Sequence, residues 1–344
     1  ALTGATTSQR FPSTMQTLQY DYTPPGTAQF SLGVQRQVAP STIAVVQYVG
    51  SLGWSQSNNR ATNTLPLTDP STPSDPYGRR RGVADGSLNA NLYRIFPGFS
   101  SITQQENQSN FSYHSLQAGM RMENRHGLTF QLAYTYSHEV DVVSNDLNMV
   151  SNPFNLGYDR GAGTFDRRHI FTANYIYQLP FFRNSGNALQ KSLLGGWDIS
   201  GITVVQSGAP QPITYNGPDV LGLGGGTTNR PNLVGKVRYP KTRLAWFDKS
   251  AFANPVAPWN GGTGFGNAGK DVVRLPGLFN FNLALFKTFI FKENMGLQLR
   301  LETFNTFNHT QFNNINANTN DGNFGQITSA RDARTVQLGG KFSF

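Results

Sequence analysis

The chain has 344 residues and a net charge of +9; only 38% of it is hydrophobic and 14% charged, with 36 glycines and 12% aromatics making up much of the rest. Low charge together with 25 Phe, 13 Tyr and 4 Trp argues against intrinsic disorder, and the lack of cysteine rules out a disulfide scaffold, a thiolate metal site and a cysteine nucleophile. No apolar run reaches the roughly 18 residues of a membrane-spanning helix, but a spanning barrel stays open because its strands alternate apolar and polar residues.

In chain order, the first period-two segment is 28–38, where Phe30, Leu32 and Val34 oppose Gln29, Ser31, Gln35 and Gln37. Less regular candidates follow at 41–50 and 110–123. In 128–138, Leu128, Phe130, Leu132, Tyr134 and Tyr136 alternate with Thr129, Gln131, Ala133, Thr135 and Ser137. In 169–179, Phe171, Ala173, Tyr175, Tyr177 and Leu179 oppose Thr172, Asn174 and Gln178. Segment 196–208 is a further candidate, and 279–291 carries Phe279, Phe281, Leu283, Leu285, Phe289 and Phe291 on one parity. Met295, Leu297, Leu299 and Leu301 then alternate with Gln298, Arg300 and Glu302, and 334–344 closes the chain. Each segment has an oily and a wet side and runs to about ten residues, the length that crosses a bilayer when tilted.

The connections sort by length. Those at 39–40, 124–127 and 292–294 are short and 180–195 is moderate, whereas 51–109, 139–168, 209–278 and 308–333 are long and rich in Gly, Pro, Asn and Ser. Long loops at one end and short turns at the other predict an all-β, transmembrane antiparallel up-and-down β-barrel with external loops and periplasmic turns. Nine strands from residue 28 is an odd number, whereas bacterial single-chain barrels are even. The chain is therefore expected to be incomplete: either 14–23 adds a tenth strand, or the sequence starts inside an external loop of a longer barrel. Residues 1–27 read as loop or partial strand and 28–344 as barrel. Ala1 is not preceded by an apolar leader, so any export signal is expected to have been removed or to lie upstream.

The last residues, Val336-Gln-Leu-Gly-Gly-Lys-Phe-Ser-Phe344, resemble the C-terminal signal for outer-membrane assembly of bacterial barrels, with Gln337, Gly339, Phe342 and Phe344 at the matching places. Upstream, Phe165-Asp-Arg-Arg-His169, Gly195-Gly-Trp197 with Ser207-Gly-Ala-Pro210, Asn229-Arg-Pro-Asn232, Trp246-Phe-Asp248, Gly266-Asn-Ala-Gly269, Leu297 to Asn305 and Phe324 to Ala330 resemble successive motifs of TonB-dependent receptors of the Oar-like group. The resemblance is strong over 165–344 and thins over 1–164. It implies the C-terminal part of a barrel of about 22 strands in a Gram-negative outer membrane, carrying neither plug nor carboxypeptidase-regulatory-like domain. The partners it implies are outer-membrane lipid and lipopolysaccharide, the barrel-assembly machinery, and a plug and TonB through an upstream part. No cofactor is implied, and the loop composition does not select a ligand.

Candidate chemistry is sparse. Arg36, Arg121, Arg300 and Glu302 read as lying on the polar sides of their strands, where they would brace the lumen through ion pairs or touch a small ligand. His138, Glu139 and Asp141 lack a second histidine at ligand spacing and read as a solvated loop; Asp166 to His169 read as a salt-bridged strand entry. Asn316, Asn318, Asn320 and Asp321 mimic the start of a calcium loop but lack its bidentate Glu, and Leu221 to Gly226 lacks the rest of a phosphate loop and reads as flexible. Arg79-Arg80-Arg81 suits an external loop beside lipid phosphate better than nucleic acid, because the aromatics sit in strands instead of interleaving with it. No nucleophile–base or paired-carboxylate spacing is present, so an enzyme is not expected. A reading from another class is a structural or adhesive cell-surface module whose open edges are completed by a partner chain or by polymerisation.

Overall fold

The structure is a computed structural model that describes residues 12–69, 73–292 and 295–344. Nine strands build one wall: β1 (Gly26–Ala39), β2 (Thr42–Ala61), β3 (Phe99–Arg125), β4 (Leu128–Asp141), β5 (His169–Gln178), β6 (Asp198–Gln206), β7 (Leu278–Lys292), β8 (Met295–Phe304) and β9 (Thr335–Ser343). Each pairs antiparallel with its neighbour in sequence, an up-and-down order without crossovers. Among the described residues, β1 pairs along one side only, with β2, and β9 likewise only with β8.

The pleat sends alternate side chains to opposite faces, and register aligns those faces across the wall. One face joins Leu32 to Tyr48 and Leu116, Leu132 to Ala173, Leu285 to Ile199, and Leu301 to Leu338. Leu32 and Leu338 are 79% and 80% exposed, so no second protein layer covers that face there. The opposite face joins Gln47 to Gln117, Gln131 to Asn174, and Ala284 to Glu302.

At one end of the wall the turns are tight. Ser41 at φ 58°, and Asn124, His126 and Gly127, also at positive φ, reverse the chain between β1 and β2 and between β3 and β4. Residues 293–294 of the last such turn lie outside the described residues. At the other end β2 and β3, at 20 and 27 residues, run far beyond the ten or so that a bilayer requires, so much of the loop expected at 51–109 is strand. Periodicity fails to mark this part because 55–60 and 103–109 are polar on both faces. Of the two alternatives for the N-terminal residues, the tenth strand at 14–23 forms only in part and off the path of the nine. Ser13–Leu18 pairs in parallel with Phe99 to Gln105, on this projecting part of β3, and does not join the wall as a tenth strand.

The long loops are folded. Ile213, Phe247, Val273, Ile315 and Phe324 form one buried cluster, and Leu65, Leu221 and Leu223 form another. Segment 209–278 contributes short strands at Pro210–Gln211, Asn232–Leu233, Phe252–Ala253 and Val273–Arg274.

Candidate ligand-binding face under the long loops

A groove of about 710 Å³ lies on the wall; Arg121, Gln131, Asn174, Asn282, Arg300 and Glu302 contribute polar groups to a lining that also includes Ile176, Ile202 and Phe304. Three of the four residues singled out for the lumen therefore meet there. Arg300 pairs with Glu302 at 2.8 Å, and its guanidinium lies 5.2 Å from the Phe286 ring centroid. Arg121 pairs with Glu123, so both of these arginines are held by neighbouring carboxylates.

Arg36 is the exception. Its place opposite Ala44 puts it on the parity of Phe30, Leu32 and Val34, that is, on the apolar face, and so not in the groove. It stands near the tight reversal at Pro40, where a long side chain can lay its stem on apolar surface and reach polar headgroups. The C-terminal residues divide by parity in the same way. Gln337 and Gly339 lie on the groove side opposite Glu302 and Arg300, while Phe342 faces outward opposite Leu297 and stacks on Phe344 at 6.2 Å.

Above the groove, buried charges fasten the loops to the wall. The Asp166 side chain is buried at the entry to β5; it accepts from the Glu139 N–H at 2.9 Å and from Arg274 Nη2 at 2.6 Å, with Arg168 at 3.5 Å and His138 at 3.3 Å. Burial alone would raise its carboxyl pKa, but the Glu139 N–H, Arg274 and His138 together outweigh that and hold it below the usual value. Lys270 pairs with Asp141 and donates to the Val142 carbonyl at 2.9 Å. Arg230 pairs with Asp159 at 3.1 Å and covers the Tyr158 ring at 3.7 Å. The strand-entry reading of 166–169 thus describes what these residues do.

Three other expectations change. His138, Glu139 and Asp141 lie in β4 instead of a solvated loop, and Asp141 is buried. Arg79 to Arg81 are not a free basic patch: helix α1 (Gly78–Ala84) directs Arg79 to Asp69 and Arg81 to Asp75. Arg80 is buried and donates to the carbonyls of Leu67 at 2.5 Å and Leu221 at 2.7 Å. Leu221 to Gly226 is likewise packed. Gly222, at φ +62°, lies so close to α1 that a Cβ there would stand 1.9 Å from the Arg80 carbonyl oxygen. The Asn-rich turn bonds to itself, with Asn316 and Asn318 each donating to Asp321 at 2.8 Å. Among the described residues no group of three His, Cys, Asp or Glu side chains comes together as a metal site.

The outward face also carries a feature that the sequence reading missed. Tyr48 bonds His114 at 2.6 Å and Tyr134 bonds His169 at 2.8 Å, which makes a band of tyrosine–histidine pairs towards the loop end. The parity was there to find it, since Tyr48, His114, Tyr134 and His169 all lie on the apolar face of their strands. Amphipathic rings at that level suit a membrane boundary.

A long-stranded antiparallel wall, oily and uncovered outside, polar within and roofed by folded loops at one end, defines an outer-membrane β-barrel protein. The chain belongs to the outer membrane beta barrel domain family, whose model matches residues 1–337. Among solved structures, the outer membrane transporter YddB from Escherichia coli is similar at 12% identity and a TM-score of 0.52, over 97% of this chain and 34% of that one. The ferripyoverdine receptor of the outer membrane of Pseudomonas aeruginosa matches at 12% identity and a TM-score of 0.43, over 94% of this chain and 28% of that one. The chain thus spans about a third of the length of the transporter, at an identity where the likeness is one of fold. No curated protein matches it in sequence.

Proposed function

We propose that the chain is the C-terminal wall section of a TonB-dependent receptor of the Oar-like group and takes part in uptake of a ligand across the outer membrane. The observation that carries this reading is a groove on the wall, to which Arg121, Asn282, Arg300 and Glu302 contribute, together with long loops packed around two buried clusters at one end of the wall. The loops would capture the ligand, and the groove would conduct it once a plug moves. The motifs over 165–344 support the assignment to the group, and the transporter YddB supplies the fold precedent. The test uses the complete natural protein in a Gram-negative host supplied with ferric chelates, cupric ion, a peptide and an oligosaccharide. Depletion of at least one probe that stops when TonB is deleted is the expected result. Depletion of none, or depletion indifferent to TonB, contradicts the reading.

A second reading is favoured by the two wall edges. Among the described residues β1 and β9 each leave one side unpaired, and unpaired edges template further strands. As an adhesive module, the wall would be completed by a partner chain or by its own copies. A monomeric, closed barrel of the complete protein, seen by native mass spectrometry and structure, contradicts that alternative.

A further inference from the structure

The connection from β5 to β6, residues 179–197, is longer than the tight reversals beside it at the short-turn end of the wall. It contains helix α2 (Ala188–Leu194), whose first turn is capped by Asn187 accepting from Leu189 N–H at 3.0 Å. Seven residues are too few for a helix to hold itself in water. What holds this one is the wall. The Lys287 ammonium donates to the Ser192 carbonyl at 2.6 Å and to that of Gly195, and Trp197 Nε1 donates to the Leu193 carbonyl at 3.0 Å. Lys287 shares the parity of Leu285 and Phe289, on the apolar face, and lies 4.9 Å from the Phe289 ring. The connection is therefore drawn outward, towards the side that meets lipid, and not beneath the groove.

Its surface composition is unusual for a turn in water. Phe181, Phe182, Leu189, Leu193 and Leu194 are all exposed, Leu189 by 69% and Phe181 by 64%. Residues 179–197 contain Arg183 and Lys191 but no carboxylate. We propose that α2 and its flanks lie in the periplasmic leaflet of the outer membrane. Leu189, Leu193 and the two phenylalanines enter the acyl boundary, and Lys191 and Arg183 meet the phosphates of glycerophospholipids. Two observations select lipid as the occupant. The helix is tethered to the face already turned to hydrocarbon, and its charges are all of the sign that headgroup phosphate attracts. In this arrangement the helix is an interfacial anchor that fixes how deeply the wall sits in the bilayer.

The chain has no cysteine, so single replacements give unique labels. Leu189→Cys, Leu193→Cys and, as a control, Asn184→Cys would carry an environment-sensitive fluorophore in the full chain reconstituted into phosphatidylethanolamine–phosphatidylglycerol vesicles. The labels at 189 and 193 are expected to be quenched several-fold more by headgroup-proximal spin-labelled lipid than the label at 184, and to resist iodide. Lys191→Glu with Arg183→Glu should then weaken the lipid quenching. Labels at 189 and 193 that iodide reaches as readily as 184 overturn the proposal. So does self-quenching that rises with protein density in the absence of lipid quenching, because a second copy would then be the occupant.

Discussion

Asp166 joins four groups at the loop–wall junction. It is buried with two arginines, a histidine and a backbone N–H around it, so Asp166→Ala leaves Arg274 without its carboxylate. The expected cost is about 3 kcal/mol, the low end for a broken buried pair because the arginines are partly exposed. Since the native carboxyl pKa is depressed, its stabilisation is complete above the ordinary carboxylate value of about 3.9 and disappears as pH falls towards the lower native value. Exchange protection at the Glu139 amide, followed from pH 7 downward, should therefore fall in that acid range, and Asp166→Asn should abolish this limb of the profile. Protection that is unchanged in the variant would count against the role. Arg80 poses a similar question at the second cluster. Arg80→Ala strands the Leu67 and Leu221 carbonyls at about 1–3 kcal/mol of lost stability, read as faster proteolysis within 62–98 while the wall stays intact.

At the scale of elements, the wall was legible and the roof was not. Strands β4, β5, β7 and β8 announce themselves because one face meets hydrocarbon and the other water, a contrast that fixes period two over the whole crossing. The outer halves of β2 and β3 stand clear of the bilayer, lose that contrast and read as loop. The roof is held by contacts far apart in sequence, such as Arg80 to Leu221 or Asp141 to Lys270, which no local pattern encodes. Residue types still left a trace there. Gly222 and Gly266 sit where a Cβ would collide with the carbonyls of Arg80 and Arg230, so glycine-rich stretches that suggest flexibility are sites of close backbone approach. Of the candidate site, the positions of Arg121, Arg300 and Glu302 are legible from parity, whereas the charge of Arg36 points to the lumen and its even position among Phe30, Leu32 and Val34 sets it on the other face. If the roof is a packed unit, Phe247→Ala should cost it about 3–5 kcal/mol, because that ring is fully buried against Phe252 and Phe324. Surface proteolysis of 207–277 should accelerate with the wall strands still protected. Gly222→Ala should loosen the Leu65 cluster in the same assay.

For the whole molecule, one physical contrast organises everything described: among the described residues no second sheet covers the apolar face, which stands bare at Leu32 and Leu338, so hydrocarbon is its solvent. The polar groove, the aromatic boundary, the roof of loops and the outward helix α2 take their meaning from that assignment. A cysteine scan of 128–138 in lipid vesicles tests it most directly, with no native thiol to interfere. Cysteines at Phe130, Leu132 and Tyr134 should resist a membrane-impermeant maleimide and, as spin labels, be relaxed by lipid-soluble oxygen, while those at Thr129, Gln131 and Thr135 should react from water. Equal reaction at both parities, or reaction confined to the even positions, would contradict the account.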